Sequence, residues 1–259
     1  MVRRSEMPVN IMKNLSRNDI EIMSDRVLSQ YLTEKKRLKE EVFRIDPEDL
    51  AAKLYGIQFD YRKLSKSGMI LGMTSFSHAG VLVWDADNNP EYYFLSEKDI
   101  LIDSALLEKG QEGRCNFTKM HELAHQIFGR LYPNDYAVRY RKEPLIYYRS
   151  EEIRKGKVTN WEEWQANVLA SFLLLPEELV EICLQSFGLA PRIRYMSKST
   201  TPKEYEKFCK MAEHLGVSKQ ALAIRLKQLG HIENDTLQRP GWLRSVEMED
   251  EEWNCLQTM

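Results

Sequence analysis

Apolar side chains recur along this chain with two periods, one near 3.6 residues and one near 2, and the alternation between them predicts the order of elements. From Ser16 to about residue 42, the positions Ile20, Met23, Val27, Tyr31, Leu38 and Val42 mark one face of a long amphipathic helix with Ser16 as its N-cap. The charged run 34–41 reads as its solvated outer face. Asp46 followed by Pro47 predicts a short second helix, because the carboxylate can cap free N–H groups and proline suits the first turn. Strand-like runs follow near 57–61, 69–74, 81–84, 91–95 and 100–102, with Asp85-Ala86-Asp87-Asn88-Asn89-Pro90 as a turn between the third and fourth. Helical spacing returns over 116–131 at Phe117, Met120, Leu123, Ala124, Ile127, Phe128 and Leu131, with Gly129 and Pro133 as the stop. A further helix over 160–175 carries Trp164, Val168, Phe172 and Leu175 and ends at Pro176. The pattern predicts an α+β chain in which a small sheet precedes two longer helices.

Chemistry concentrates on those two helices. The first contains His121-Glu122-Leu123-Ala124-His125, an H-E-x-x-H motif. Imidazoles four residues apart lie on one helix face and can bind one metal ion, and the intervening Glu122 can take a proton from the attacking water. This is the arrangement of zinc metallopeptidases. A helix carrying two His and a Glu among apolar residues needs a partner for each polar group once it is desolvated. A tetrahedral site needs a third protein ligand, and the second helix opens with Glu162-Glu163. Glu163 shares a face with Ala166 and Asn167, and small Ala166 permits close helix approach. Glu162 lies about 100° away around the axis and suits capping or solvent. Glu163 is the expected ligand. A sheet followed by two metal-bearing helices has the general architecture of zincin-like peptidases, which commonly align peptides along a sheet edge.

The stretch Phe117-Thr118-x-x-His121-Glu122-Leu123-Ala124-His125, followed by Glu163-x-x-Ala166-Asn167-x-x-Ala170-x-x-Leu173-Leu174-x-Pro176, resembles the ImmA/IrrE family of metallo-endopeptidases. The likeness extends from about residue 24 to 232. It takes in an early helix at Asp46-Pro47-Glu48-Asp49-Leu50 and a late helical portion from Gly216 to Gly230. The resemblance implies zinc held by His121, His125 and Glu163, Glu122 as catalytic base, and helix-turn-helix transcriptional repressors of mobile elements or stress responses as substrates. Two departures stand out. Leu169-Ala170-Ser171 replaces the usual Phe-Ala-Ala, a packing change, and the stretch between the two metal motifs is longer than typical, which bears on substrate choice.

Composition narrows the picture. A chain of 259 residues, 43 % hydrophobic and 29 % charged, can bury a full core, and a net charge of −2 provides no global attraction for nucleic acid or anionic membrane. No apolar run matches a membrane span or signal-peptide core, and Cys115, Cys183, Cys209 and Cys255 are too scattered for a disulfide frame or second zinc site. A cytoplasmic protein with reduced thiols is the expectation. Cys115, six residues before His121, faces away from the expected metal. The chain divides into a loose terminus at 1–15, a metallopeptidase region at 16–185, a helix-turn-helix-like segment at 186–232 and an acidic tail at 233–259.

Some residues keep two readings. His78 lies in a polar turn, facing solvent or reaching the cleft. Residues 136–157 mix basic side chains with Tyr136, Tyr140, Tyr147 and Tyr148, as a lid and oxyanion donor or as a solvated connection. The segment 208–230 could place Lys219, Gln220, Arg225, Lys227 and Gln228 in a DNA groove or pack on the catalytic region, with packing favoured. His214 and His231 there read as surface or turn residues. The competing functions are therefore a DNA-binding regulator with a structural zinc, and a module that sequesters a repressor without cutting it.

Overall fold

The computed structural model describes residues 15–133, 145–148, 161–189, 192, 193, 196, 198 and 201–232. The fold is α+β: seven α-helices among the described residues and a small mixed sheet. Helix α1 spans Arg17–Arg37, and Ser16 and Asp19 form a reciprocal capping box at its start. The expected continuation to residue 42 does not occur. Leu38 caps the helix and is 44 % exposed, and Lys39 turns into the left-handed region at φ 58°. The charged run 34–41 has no apolar face to bury, so nothing holds further helical turns in place. Helix α2, Pro47–Tyr55, is capped by Asp46 as expected, its carboxylate accepting from the N–H groups of Glu48 and Asp49.

Strands β1 (Gln58–Arg62), β2 (Ile70–Thr74), β3 (Ala79–Trp84), β4 (Pro90–Leu95) and β5 (Asp99–Asp103) coincide with the predicted runs to within two residues. A sixth strand, β6 (Leu145–Tyr148), falls within the stretch left as a lid or solvated connection. Leu-Ile-Tyr-Tyr favours strand, but four residues inside a basic stretch give a weak local signal; pairing with β2 supplies the rest. The sheet order is β1-β5-β2-β6, with β1 parallel to β5 and the other pairs antiparallel. Strands β3 and β4 form a separate hairpin, closed by the predicted turn with Asn88 at φ 63°.

The main sheet separates two apolar layers. On β5, Ile100 and Ile102 join the helix-side core, whereas Leu101 joins Val81, Val83 and Leu95 of the hairpin. Helix α3, Glu112–Leu131, packs on β2 and β5, and every residue from Phe117 to Gly129 is buried. Gly129 was expected to stop this helix but lies inside it. A Cβ there would sit 2.2 Å from the Phe76 ring, so the glycine makes room for an aromatic side chain. Helix α4, Trp161–Leu174, packs against α3 and α1 and is followed after Pro176 by α5, Glu177–Ser186.

Helices α6 (Pro202–Leu215) and α7 (Lys219–Gln228) join through Gly216 in the left-handed conformation, and Ser218 caps α7. This helix, turn and helix share one continuous core with the rest, from Ile20 to Ile232. Of the side chains considered as base readers, Gln220 and Arg225 are buried, 1 % and 4 % exposed, and do not face a groove. Arg225 donates through Nε to the Leu175 carbonyl at 2.9 Å and lies over the Phe172 ring, fastening α7 to the end of α4. At the other end, Asn116 Nδ2 donates to the Gly216 carbonyl at 2.9 Å, joining the turn to α3. No described helix is long and apolar enough to cross a membrane.

Two outcomes test these attachments. Arg225→Ala leaves the Leu175 carbonyl without this donor and should cost about 2–3 kcal/mol in urea denaturation, whereas exposed Lys227→Ala should stay within about 0.5 kcal/mol. Between α1 and α2, burial raises the pKa of Asp49, but hydrogen bonds from Lys53, Tyr31 and Lys35 outweigh it and hold the carboxyl below its usual range. Such a group stabilises the fold above its unfolded pKa of about 3.9, and that stability is lost as pH falls through the lower folded value. Acid unfolding followed by circular dichroism should therefore be less steep below about pH 4 in Asp49→Asn than in wild type.

Candidate metal centre

Helix periodicity places His121 and His125 one above the other on the face of α3 that meets α4. Their Nε2 atoms stand 3.0 Å apart. From the first turn of α4, Glu163 brings Oε2 to 3.1 Å from His121 Nε2 and Oε1 to 3.3 Å from His125 Nε2. Ala166, one turn further along, is wholly buried at the junction. The neighbouring Glu162 takes no part in the cluster. The two imidazoles are 0 and 2 % exposed, and the Glu163 side chain keeps 27 % of its surface open.

This group could hold a metal ion. Donors on a tetrahedral ion at bond lengths of about 2.0–2.2 Å stand roughly 3.3–3.6 Å apart, a few tenths of an ångström beyond the 3.0, 3.1 and 3.3 Å found here. Two imidazole nitrogens and a carboxylate oxygen are also a donor set suited to a first-row divalent cation. The orientation of His121 agrees with that use. Its Nδ1 lies 3.0 Å from Asn167 Oδ1, an acceptor, so Nδ1 carries the proton and Nε2 turns its lone pair toward the cluster. Asn167 lies one helical turn after Glu163, so a single face of α4 delivers both the carboxylate and the group that orients the first histidine. Sequence reading placed Asn167 on that face without giving it a task; the Glu163–Asn167 spacing was the available signal.

Glu122 is wholly buried on the same helix, and neither carboxylate oxygen has a hydrogen-bond partner among the described residues. Burial, and then the charge of Glu163, push its pKa well above the ordinary carboxylate range. For Glu163, burial acts in the same direction, but the facing His125 and His121 outweigh it and hold the group far below that range. Burial first, and the neighbouring His125 second, lower the pKa of His121 despite the opposing pull of Glu163. Two carboxyl groups in one interior are thus driven in opposite directions.

Helix α3 is fixed against the sheet from the same side. Gln126, one turn after Glu122, donates through Nε2 to Thr74 Oγ1 at 2.7 Å and to the Ser75 carbonyl at 2.8 Å. On another face of α3, Lys119 donates to Glu48 Oε1 at 2.6 Å, tying α3 to α2. The remaining candidates lie elsewhere. His78 is exposed and outside the cluster, as are His214, which is exposed, and partly exposed His231. Cys115 is buried in the core, away from the cluster. The tyrosine side chains of 136–157, and the tail from 233, lie outside the described residues. Comparison with protein-family models and with curated proteins finds no match.

Asn167→Ala should weaken metal binding about 10- to 100-fold in chelator competition, with the ligands themselves intact. Unchanged affinity would show that the His121–Asn167 contact does not orient the ring.

Proposed function

We propose that this protein is a zinc-dependent endopeptidase of zincin-like architecture, with His121, His125 and Glu163 as the zinc ligands and Glu122 as the general base. The observation that carries this reading is the convergence of two imidazoles and one carboxylate around a common point, with a second, unpartnered carboxyl buried beside them. A bound zinc supplies Lewis-acid polarisation of a carbonyl and lowers the pKa of water toward neutrality. The protein's own residues do the rest. His121 and His125 would offer their Nε2 atoms to the ion, the first ring oriented by Asn167. Glu163, kept ionised by its histidine neighbours, balances charge. Glu122 receives the proton of the attacking water and delivers it to the departing amine nitrogen, a role suited to a carboxyl that burial makes more basic than an ordinary carboxylate. Opposed pKa shifts on two nearby carboxyl groups are the usual mark of such a division of labour.

The resemblance to ImmA/IrrE peptidases extends the proposal to the substrate: a helix-turn-helix transcriptional repressor, cleaved in the cytoplasm. The burial of α7 supports packing rather than operator reading as the role of the late helices.

Glu122→Gln should retain metal and lose hydrolysis by about 100-fold or more, whereas His125→Ala and Glu163→Ala should lose metal as well. The measurement is metal content by mass spectrometry alongside fragment analysis after incubation with a purified helix-turn-helix repressor, with and without chelator. Full cleavage by Glu122→Gln would remove the base assignment. Binding of the repressor without any metal-dependent fragment would favour sequestration.

A further inference from the structure

Glycine in the middle of a paired strand is unusual, since it weakens the strand and offers no side chain to pack. Gly72 occupies such a place. It pairs with Ile102 of β5 on one side and Tyr147 of β6 on the other, and the β2–β6 register shifts between Ile70 and Gly72. Its backbone φ is not positive, so no left-handed turn calls for glycine here. What excludes a side chain is Glu122. A Cβ on Gly72 would lie 2.6 Å from Glu122 Oε1, 2.8 Å from its Cγ and 3.0 Å from its Cδ. The outer half of the Glu122 side chain therefore stands where any other residue would begin.

We propose that Gly72 is the positioning residue for Glu122: the missing side chain on β2 leaves the pocket that sets where the buried carboxyl rests beside the metal ligands. The surroundings leave Glu122 little freedom to rest elsewhere. It is wholly buried, its oxygens are fixed by no hydrogen bond among the described residues, and the next turn of α3 is pinned to β2 through Gln126 and Thr74. Shape, rather than hydrogen bonding, sets its place. Irregular pairing beside active sites commonly re-aims side chains, and here the shift at Ile70 and Gly72 brings the bare backbone against the helix. The steric part stands on geometry alone; the catalytic part rests on the proposed role of Glu122 as base.

The test is a double-mutant cycle on positions 72 and 122, read by thermal unfolding of the metal-free protein and by the visible absorption bands of the cobalt-loaded protein. Gly72→Ala should lower Tm by about 5 °C in the wild-type background and shift the cobalt bands while leaving cobalt bound. In a Glu122→Ala background, which removes the clashing atoms, the same substitution should leave both readouts unchanged. If Gly72→Ala does not fold alone, recovery of folded protein in the double variant reads the same coupling. Equal losses in both backgrounds, or no effect of Gly72→Ala on either readout, would overturn the proposal. Strong coupling together with full hydrolysis by Glu122→Gln would instead overturn the base role and its catalytic consequence, leaving a packing constraint.

Discussion

Two imidazoles and a carboxyl group are taken almost wholly out of water at the junction of α3 and α4, with the more open Glu163 carboxylate completing the cluster. Desolvating such groups is costly unless each finds a partner. His121, His125 and Glu163 partner one another, Asn167 completes His121, and the two Glu122 oxygens meet no hydrogen-bond partner among the described residues. A cation seated among the first three would turn this costly arrangement into a favourable one, because metal–ligand bonds would replace the lost hydration. The chemistry and the stability of the interior are therefore the same question.

Much of the scaffold serves to hold α3 and α4 in register. Gln126 ties α3 to β2, Lys119 ties it to α2, and Asn116 ties it to the turn between α6 and α7. Arg225 grips the end of α4 from α7. Helices that could be taken from their pattern for a DNA-reading pair are thus built into the same body as the candidate metal centre. The hydrogen bonds at Asn116 and Arg225 reach both helices of the candidate metal centre, one through its first turns and the other at its end.

The legible parts of this architecture were those encoded locally. The H-E-x-x-H helix showed itself through a 3.6-residue apolar period, and adjacent Glu162 and Glu163 could be separated by the rotation between successive helical positions. Caps at Ser16 and Asp46 were readable because each side chain bonds within its own first turn. What escaped depends on contacts distant in sequence. Gly129 looks like a terminator until Phe76 fills its missing side chain, and Gly72 looks like an ordinary weak spot until Glu122 arrives from fifty residues away. Strand β6 is too short to declare itself without β2 beside it. The overextended reading of α1 has the opposite cause: apolar letters at Leu38 and Val42 kept the period, but no surface waits to cover Leu38.

The most direct test of the central claim is X-ray absorption at the metal edge of the purified protein, joined to its metal stoichiometry. One zinc per chain, with imidazole nitrogens and carboxylate or water oxygens at about 2.0–2.2 Å and no sulfur, is the predicted result. Sulfur neighbours near 2.3 Å, or a protein that binds no divalent cation with His121, His125 and Glu163 intact, would contradict it.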